Sequence, residues 1–250
     1  MSDKNTLAQQ FSNLEVVVTG GTGTLGEAVV TEVLDRGGKC RVPYRNDDDR
    51  DRFAHRSDDR IDMVEAADLS DADTVAALYE PFGSSRRLWA SIHVAGGFAF
   101  ATLADTTPDV IQQQLSMNAV TCMLCCRAAV EKMREAGPLT DDIGTGRLVN
   151  IAARPALEPR QGAKMSAYTA SKAAVAAFTQ AIGEEIASDG IWVNAVAPSI
   201  LDTPANREAM PDASHDEWPS AEAIARTIVD LASPDNRVAR GGIVPVYGRC

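Results

Sequence analysis

The sequence predicts an α/β fold in which helices cover both faces of a parallel β-sheet. Short runs rich in β-branched residues alternate with longer stretches of helical periodicity, which is the pattern of βαβ units. Several of the short runs are almost continuously apolar, as expected for strands covered on both faces. The chain has 250 residues and is 45% hydrophobic, so it can bury one substantial core. We therefore expect a single domain over residues 1–250.

Seven candidate strands follow one another along the chain. They are LEVVVTG, KCRVPY, IDMVEA, LWASIHVAG, RLVNIAA, IWVNAVAP and GIVPVYG. Helical periodicity predicts helices between them at Thr24–Arg36, Asp71–Glu80, Pro108–Ala136, Met165–Ser188 and Ala221–Ala232. Ser70 and Asp73 have the spacing of a capping box at the start of the second helix.

Two segments lie outside this alternation. Residues 1–12 carry no such pattern, and we expect them to be loosely ordered. Residues 201–220 form a long polar segment with scattered apolar residues, which is typical of a loop that covers a site. We predict that this loop covers the substrate.

Charge and hydropathy argue against several classes of function. The formal net charge is -11, whereas nucleic-acid binding depends on Lys and Arg that neutralise phosphates. The first residues lack the features of a signal peptide, and no apolar run approaches the length of a membrane span. We predict a soluble cytoplasmic protein that acts on a small molecule and binds neither nucleic acid nor membrane.

The five cysteines do not predict a metal site. Cys122, Cys125 and Cys126 share one predicted helix, where their spacing places them on a common face. No second C-x-x-C pair or histidine pair completes a zinc-binding pattern. We interpret these cysteines as packing or interface residues, and we expect no bound metal.

A glycine-rich loop follows the first strand directly, in VTGGTGTLGEAVV. Gly20, Gly23 and Gly26 form a G-x-x-G-x-x-G run that leads into a helix. Glycines let the main chain approach a pyrophosphate closely, and the start of the helix supplies unpaired N–H groups and a partial positive charge. Because the loop joins a buried strand to a helix, it predicts a dinucleotide cofactor.

The end of the second strand bears on which dinucleotide binds. Tyr44 occupies the position where an acid would favour NAD, and Arg45 follows it, well placed to meet a 2′-phosphate. Alternatively, Arg45 belongs to a solvated charge run in which Asp47, Asp48 and Asp49 weaken its field. We predict NADP(H), with NAD(H) as the alternative.

Tyr168 and Lys172 are separated by one helical turn, so their side chains share a face. An ammonium group near a phenol stabilises the phenolate and lowers the tyrosine pKa toward working pH. The pair is therefore typical of a general acid–base, with Tyr168 carrying the proton.

Together these motifs resemble the short-chain dehydrogenase/reductase family over nearly the whole chain. TGGTGTLG matches the family's cofactor loop, although its middle glycine is spaced as in the extended branch. HVAGG resembles the Asn-Asn-Ala-Gly element, with His93 and Val94 in place of the asparagines. YTASKAAVAAFTQAIGEEIASDGIWVNAVAPSILDTP is the most specific stretch. The resemblance implies a Rossmann-type, doubly wound domain with a seven-stranded parallel sheet, assembled as a homodimer or homotetramer.

The resemblance also implies roles for individual residues. Tyr168 would donate or accept the proton, and Lys172 would bind the nicotinamide ribose and tune the tyrosine. Asn118 matches the active-site asparagine that supports the lysine through a water, and Asp68 matches the acid that meets adenine. The expected cofactor contacts are Thr19, Gly20, Thr22, Gly23, Thr24, Leu25, Gly26, Arg45, Asp68, Leu69, Ala95, Gly96, Tyr168, Lys172, Pro198 and Thr203.

One family feature is missing. Most members place a catalytic serine just after the fifth strand, where this chain has Ala152 and Ala153. Losing one hydrogen bond to a developing oxyanion costs about 10²–10³ in rate. Three explanations are open. First, Ser166 or Thr169 could supply the hydroxyl; second, the protein could be an NADP-binding sensor or scaffold with little turnover. Third, the substrate could react without the serine because its reactive carbon is already electrophilic or its charge is delocalised.

A second resemblance supports the third explanation. SILDTPANREAMPDASHDEWPS, with VAGGF and the serine-free approach to Tyr168, is similar to the dihydropteridine reductase branch, which reduces a quinonoid pterin without that serine. Arg45 and residues 137–146 depart from that branch. We therefore expect an NADP(H)-dependent oxidoreductase acting on a carbonyl, alcohol, quinonoid or imine carbon. A dihydropteridine reductase-like enzyme and a cofactor-binding sensor are the alternatives.

Overall fold

A parallel sheet of seven strands runs through the centre of the computed structural model, which describes residues 8–250. The strands are β1 Glu15–Thr19, β2 Lys39–Tyr44, β3 Ile61–Glu65, β4 Leu88–His93, β5 Gly146–Ile151, β6 Ile191–Pro198 and β7 Ile243–Val246. Their order is β3-β2-β1-β4-β5-β6-β7, and every neighbouring pair is parallel. The predicted Rossmann-type sheet is confirmed. The strand order reverses between β1 and β4, which is where ligands bind in such sheets.

The helices lie between the strands as the periodicity predicts, with some differences at their ends. They are α1 Thr24–Asp35, α2 Asp47–Arg52, α3 Ala72–Tyr79, α4 Pro108–Gln114, α5 Thr121–Ala136, α6 Arg154–Leu157, α7 Ser166–Glu185, α8 Pro204–Ala209 and α9 Ala221–Ala232. A π-helical turn at Leu115–Val120 joins α4 to α5, so the helix predicted over Pro108–Ala136 changes its hydrogen-bonding pattern midway. Within residues 8–250, no helix combines the length and apolar character needed to cross a bilayer.

The two faces of the sheet are covered by different helices. Helices α1 and α9 contribute to one apolar core, and α3, α5 and α7 contribute to the other. Cys122, Cys125 and Cys126 lie on the buried face of α5 and belong to the second core. These three cysteines therefore pack inside the chain's own core.

One prediction near an element boundary is wrong. The capping residue of α3 is Asp71, whose carboxylate accepts a hydrogen bond from the backbone N–H of Thr74 at 2.8 Å, so Ser70 and Asp73 do not form the capping box. In the segment for which we expect loose order, Phe11 is fully buried and its N–H donates to the carbonyl of Arg36. The rest of that prediction, residues 1–7, lies outside the described residues.

The segment 201–220 has more internal structure than a plain loop. It contains α8 and a 3₁₀ turn at His215–Glu217. Thr203 caps α8, and Pro204 occupies its first turn, a combination that favours a helix start. The N–H of Asp202 donates to the carbonyl of Pro219 at 3.0 Å, which closes the segment at its base. Because the segment follows β6, it leaves the sheet at the carboxyl edge.

Candidate functional site

A cavity of about 730 Å³ lies beyond the carboxyl ends of β1, β2, β3 and β4. It includes the point where the strand order reverses. Eleven predicted cofactor residues line it: Gly20, Thr22, Gly23, Thr24, Leu25, Gly26, Arg45, Asp68, Leu69, Ala95 and Gly96. Thr19 is buried, and its hydroxyl accepts a hydrogen bond from the N–H of Ala95 at 3.3 Å. The structure thus brings most of the predicted nucleotide contacts to one site.

The glycine-rich loop has a different steric requirement at each glycine. Gly20 has φ +68°, and a Cβ there would lie 2.7 Å from the backbone N of Ala95. A Cβ on Gly26 would lie 2.0 Å from the carbonyl oxygen of Gly20, so only glycine lets α1 pack against the loop. A Cβ on Gly23 would meet nothing closer than 3.5 Å. Gly23 begins α1 without a side-chain cap, which suits binding of a phosphate by the first amides of the helix.

The acidic run after β2 is a short helix rather than only a solvated charge run. Asn46 caps α2, and Asp49 is buried on the inner side of that helix. The Asp49 carboxylate is 2.9 Å from Nε of Arg45 and 2.7 Å from a guanidinium nitrogen of Arg52. The Arg45 guanidinium is the main cause that lowers the pKa of Asp49, with a smaller contribution from Arg52. Arg52 lines the cavity and was not singled out from the sequence.

Lys172, on α7, lies next to Gly96 in the lining of the nucleotide cavity but does not itself line it. Its side chain is buried, and its Nζ donates to the carbonyl of Ile151 at 2.8 Å. A Cβ on cavity-lining Gly96 would lie 3.4 Å from Nζ, so the ammonium is adjacent to the cavity. Tyr168 lies one turn earlier, and its ring contacts Phe98 edge-to-face with centroids 5.0 Å apart.

The ionisation of this pair differs from our expectation. Burial raises the pKa of Tyr168 to about 12. Burial also lowers the pKa of Lys172 to about 8, and negative charge on the sulfur of nearby Cys122 opposes that shift. We had predicted that Lys172 lowers the pKa of Tyr168. In this structure the desolvation of the phenol sets the direction instead, while the ammonium is bonded to a backbone carbonyl.

Asn118 connects three parts of the site. It lies in the π-helical turn and is buried. Its side chain accepts from the N–H of Gly97 and donates to the carbonyl of the same residue, both at 3.0 Å. It also donates to Ser171 Oγ at 3.1 Å. Asn118 therefore joins the segment after β4 to the helix that carries Tyr168 and Lys172.

Two alanines occupy the expected position of the serine. Ala152 and Ala153 are both buried and directly follow β5. The hydroxyl of Thr169 is buried without a hydrogen-bond partner and packs against Gly162, where an added Cβ would come within 2.1 Å of it. Ser166 is exposed at the first residue of α7. The role that we considered for Ser166 or Thr169 remains a hypothesis.

Besides Thr19, four predicted cofactor residues do not line the cavity: Tyr168, Lys172, Pro198 and Thr203. Pro198 is buried at the end of β6. The hydroxyl of Thr203 accepts a hydrogen bond from the N–H of Asn206 at 3.1 Å, as the cap of α8. Gln113, Ser116, Met117 and Thr121 line the cavity from α4, the π-helical turn and α5, and sequence reasoning missed them. A π-helical turn has no simple periodic signature from which they could have been found.

The structure also groups three metal-binding residue types that the sequence separates. His93, Cys122 and Cys126 bring their ligand atoms within 4.8 Å of one another, all of them buried. Asn150 donates through Nδ2 to Thr179 at 2.9 Å, so its oxygen faces the Nδ1 of His93 at 2.7 Å. That nitrogen is therefore engaged in a hydrogen bond within the core, which favours a hydrogen-bonded core histidine over a metal ligand.

Comparison with known proteins identifies relatives over most of the chain. The model of the short chain dehydrogenase family matches residues 15–214. The 2-dehydro-3-deoxy-L-rhamnonate dehydrogenase (NAD(+)) of Sphingomonas sp. (strain SKA58) is 29% identical over 199 residues, covering 79% of this chain and 76% of that protein. The 2-(R)-hydroxypropyl-CoM dehydrogenase of Xanthobacter autotrophicus (strain ATCC BAA-1158 / Py2) is 26% identical over 249 residues, covering 93% of this chain and 96% of that protein.

Solved structures share the fold. ElxO with NADP bound has a TM-score of 0.82 at 22% identity, covering 94% of this chain and 97% of that chain. A short chain dehydrogenase/reductase family protein has a TM-score of 0.84 at 26% identity, covering 96% and 97%. Since the family model covers the glycine-rich loop, the Tyr168–Lys172 pair and the strands between them, this chain belongs to the short-chain dehydrogenase family of oxidoreductases.

Proposed function

We propose that this enzyme transfers a hydride between NADP(H) and a carbonyl, alcohol, quinonoid or imine carbon, with Tyr168 as general acid–base. The observation that carries the proposal is the position of the Lys172 ammonium, buried and adjacent to Gly96 at the nucleotide cavity, one helical turn from Tyr168. Bound nicotinamide would supply or accept the hydride. Tyr168 would give a proton to the substrate oxygen or nitrogen, or take it back.

The remaining residues support that step in distinct ways. Lys172 would hold the nicotinamide ribose and, once the cofactor is bound, favour the phenolate of Tyr168. Asn118 would keep the segment after β4 in register with α7 through its bonds to Gly97 and Ser171. Pro198 and Thr203 would meet the nicotinamide amide. The segment 201–220 would cover the substrate.

The preference for NADP(H) rests on the charges around Asp49. Two guanidinium groups, of Arg45 and Arg52, share one carboxylate at the cavity edge, which leaves one positive charge for a 2′-phosphate. We expect kcat/KM to be higher with NADPH than with NADH. Arg45→Asp should reverse this order, and Arg52→Ala should weaken NADPH alone. Arg50→Ala is the matched control, because Arg50 lies on the same helix but not at the cavity.

The chemical step is tested by a substrate screen with both cofactors, repeated on Tyr168→Phe. Removing a positioned general acid should lower turnover by about 10²–10⁴. Nucleotide-dependent thermal stabilisation should persist in the variant, because the loop that holds the phosphates is unchanged. Full activity of Tyr168→Phe would contradict the proposed mechanism.

Two alternatives follow from the alanines at positions 152 and 153. A dihydropteridine reductase-like enzyme would turn over a quinonoid pterin, so that compound belongs in the screen. A sensor or scaffold would show thermal stabilisation by NADPH and no turnover of any substrate in the screen. Turnover that depends on Tyr168 would overturn the sensor hypothesis.

A further inference from the structure

Exposed large apolar side chains recur in the segments that follow β4, β5 and β6. Eight such side chains are exposed among the described residues. Five of them lie in segments that leave the carboxyl ends of β4, β5 and β6: Phe98, Phe100, Leu103, Leu157 and Ile200. We call these five residues the apolar rim. Exposed apolar groups that cluster around a site indicate recognition of an apolar ligand.

One ring contact and one backbone hydrogen bond connect the segment of Phe98 and Phe100 to α7 and the residues before it. The ring of Phe98 meets the ring of Tyr168 edge-to-face, at 5.0 Å between centroids and 82° between planes, yet Phe98 is 58% exposed. The N–H of Ala101 donates to the carbonyl of Lys164 at 2.8 Å, which aligns the segment carrying Phe98 and Phe100 with the residues that precede α7. A flat molecule that reaches the phenol of Tyr168 would therefore contact the free surface of Phe98.

The two residues after β5 offer no side-chain hydrogen bond to a localised oxyanion. Ala152 and Ala153 directly follow β5 and carry methyl groups in place of hydroxyls. An unactivated ketone develops a localised negative charge on oxygen during reduction and gains about 10²–10³ in rate from one positioned donor. A conjugated carbonyl compound spreads that charge over its ring and has less need of such a donor.

From the apolar rim and the two alanines together, we infer that the substrate is a planar, apolar, conjugated carbonyl compound of the quinone class. This inference rests on the proposed function. The compound gains two electrons as one hydride from the reduced nicotinamide and one proton from Tyr168, so a quinone becomes a hydroquinone while the nicotinamide is oxidised by two electrons. The apolar rim would bind the ring, and Tyr168 would protonate the oxygen.

Ligand binding tests the recognition step without turnover. Isothermal titration calorimetry on the nucleotide-free protein should show binding of 2-naphthol at least tenfold tighter than binding of cyclohexanol. Phe98→Ala should weaken 2-naphthol binding by roughly tenfold, since an aromatic contact is lost. Val238→Ala is the matched control, because Val238 is 90% exposed and precedes the opposite, amino end of β7. Equal binding of the two alcohols, or equal effects of the two substitutions, would overturn the inference.

Kinetics separates this inference from the proposed function. With NADPH, 9,10-phenanthrenequinone should have a kcat/KM at least a hundredfold above that of 2-hexanone. Ala153→Ser should narrow that ratio at least tenfold, since it restores a donor that the ketone needs more. Ala152→Ser, one residue earlier, is the comparison variant. If 2-hexanone is reduced faster than 9,10-phenanthrenequinone and that reduction requires Tyr168, the quinone inference is overturned and the proposed function stands. Turnover of neither compound would overturn both.

Discussion

The two halves of the sheet's carboxyl edge are lined by different kinds of chemical groups. One half, which we call the nucleotide half, surrounds a cavity of about 730 Å³ and is built on the glycine-rich loop, the start of α1 and the residues just after β2, β3 and β4. The other half, which we propose binds the substrate and call the substrate half, presents side chains from segments after β4, β5 and β6: a buried ammonium, a phenol, an amide and the apolar rim. The first half suits one invariant ligand group, a pyrophosphate, whereas the second can change its chemistry by single substitutions.

The pKa values show the same contrast. In the nucleotide half, an ion pair keeps Asp49 ionised by lowering its pKa. In the substrate half, burial dominates, raising the pKa of Tyr168 to about 12 and lowering that of Lys172 to about 8. Each shift in the substrate half favours the neutral form. The pKa of a buried group depends strongly on the charge of whatever binds next to it, so a ligand bound nearby can change its ionisation and activate it.

The largest expected effect tests whether the glycine-rich loop is limited by steric contact. Gly26→Ala should lower the free energy of unfolding by about 2–4 kcal/mol, because the new Cβ meets backbone that cannot move aside. Gly23→Ala should leave stability nearly unchanged and weaken NADPH binding only, since its Cβ would lie 3.5 Å from the nearest atom and within the cavity lining. Urea denaturation and nucleotide titration measure the two effects. Equal destabilisation by both variants would refute the distinction.

The next prediction concerns how the burial of Lys172 makes the free energy of unfolding depend on pH. The unfolded chain binds more protons than the folded chain between pH 8 and 10.5, because the pKa of Lys172 falls from 10.5 to about 8 on folding. The free energy of unfolding of the wild type should therefore rise with pH across this window, by up to about 3 kcal/mol, relative to Lys172→Met. Urea denaturation of both proteins at pH 7.5, 9 and 10 measures the difference, and titrating groups that do not interact with Lys172 cancel in the comparison. A constant difference would contradict the burial of a titrating ammonium.

The smallest effect concerns the connection between the halves. Asn118→Ala leaves both backbone groups of Gly97 without their partner and should lower the free energy of unfolding by about 1–2 kcal/mol. It should also lower kcat more than it weakens NADPH binding, since the hydrogen bond to Ser171 on α7, the helix that carries Tyr168, is lost. Gln112→Ala, an exposed amide on α4, is the control and should be nearly neutral. Unchanged kcat in Asn118→Ala would remove its positioning role.

Sequence alone determined the features that are local in the chain. The alternation of strands and helices predicted the parallel sheet, and the glycines between the first strand and helix predicted the loop that lines the cavity. The four-residue spacing of Tyr168 and Lys172 placed both on α7. Such features are readable because the α-helix period and the glycine requirement act within a few residues, whatever the rest of the chain does.

Only the tertiary structure decided which distant residues meet and how charged they are. In the fold, Arg45 and Arg52 both pair with the carboxylate of Asp49. Asn118, in a π-helical turn, is hydrogen-bonded to Gly97, and His93 lies beside two cysteines of α5. The tertiary structure also reversed the expected direction of the Tyr168 pKa shift. Desolvation depends on every element packed around a group, and those elements come from all parts of the chain, so no short stretch of sequence contains that information.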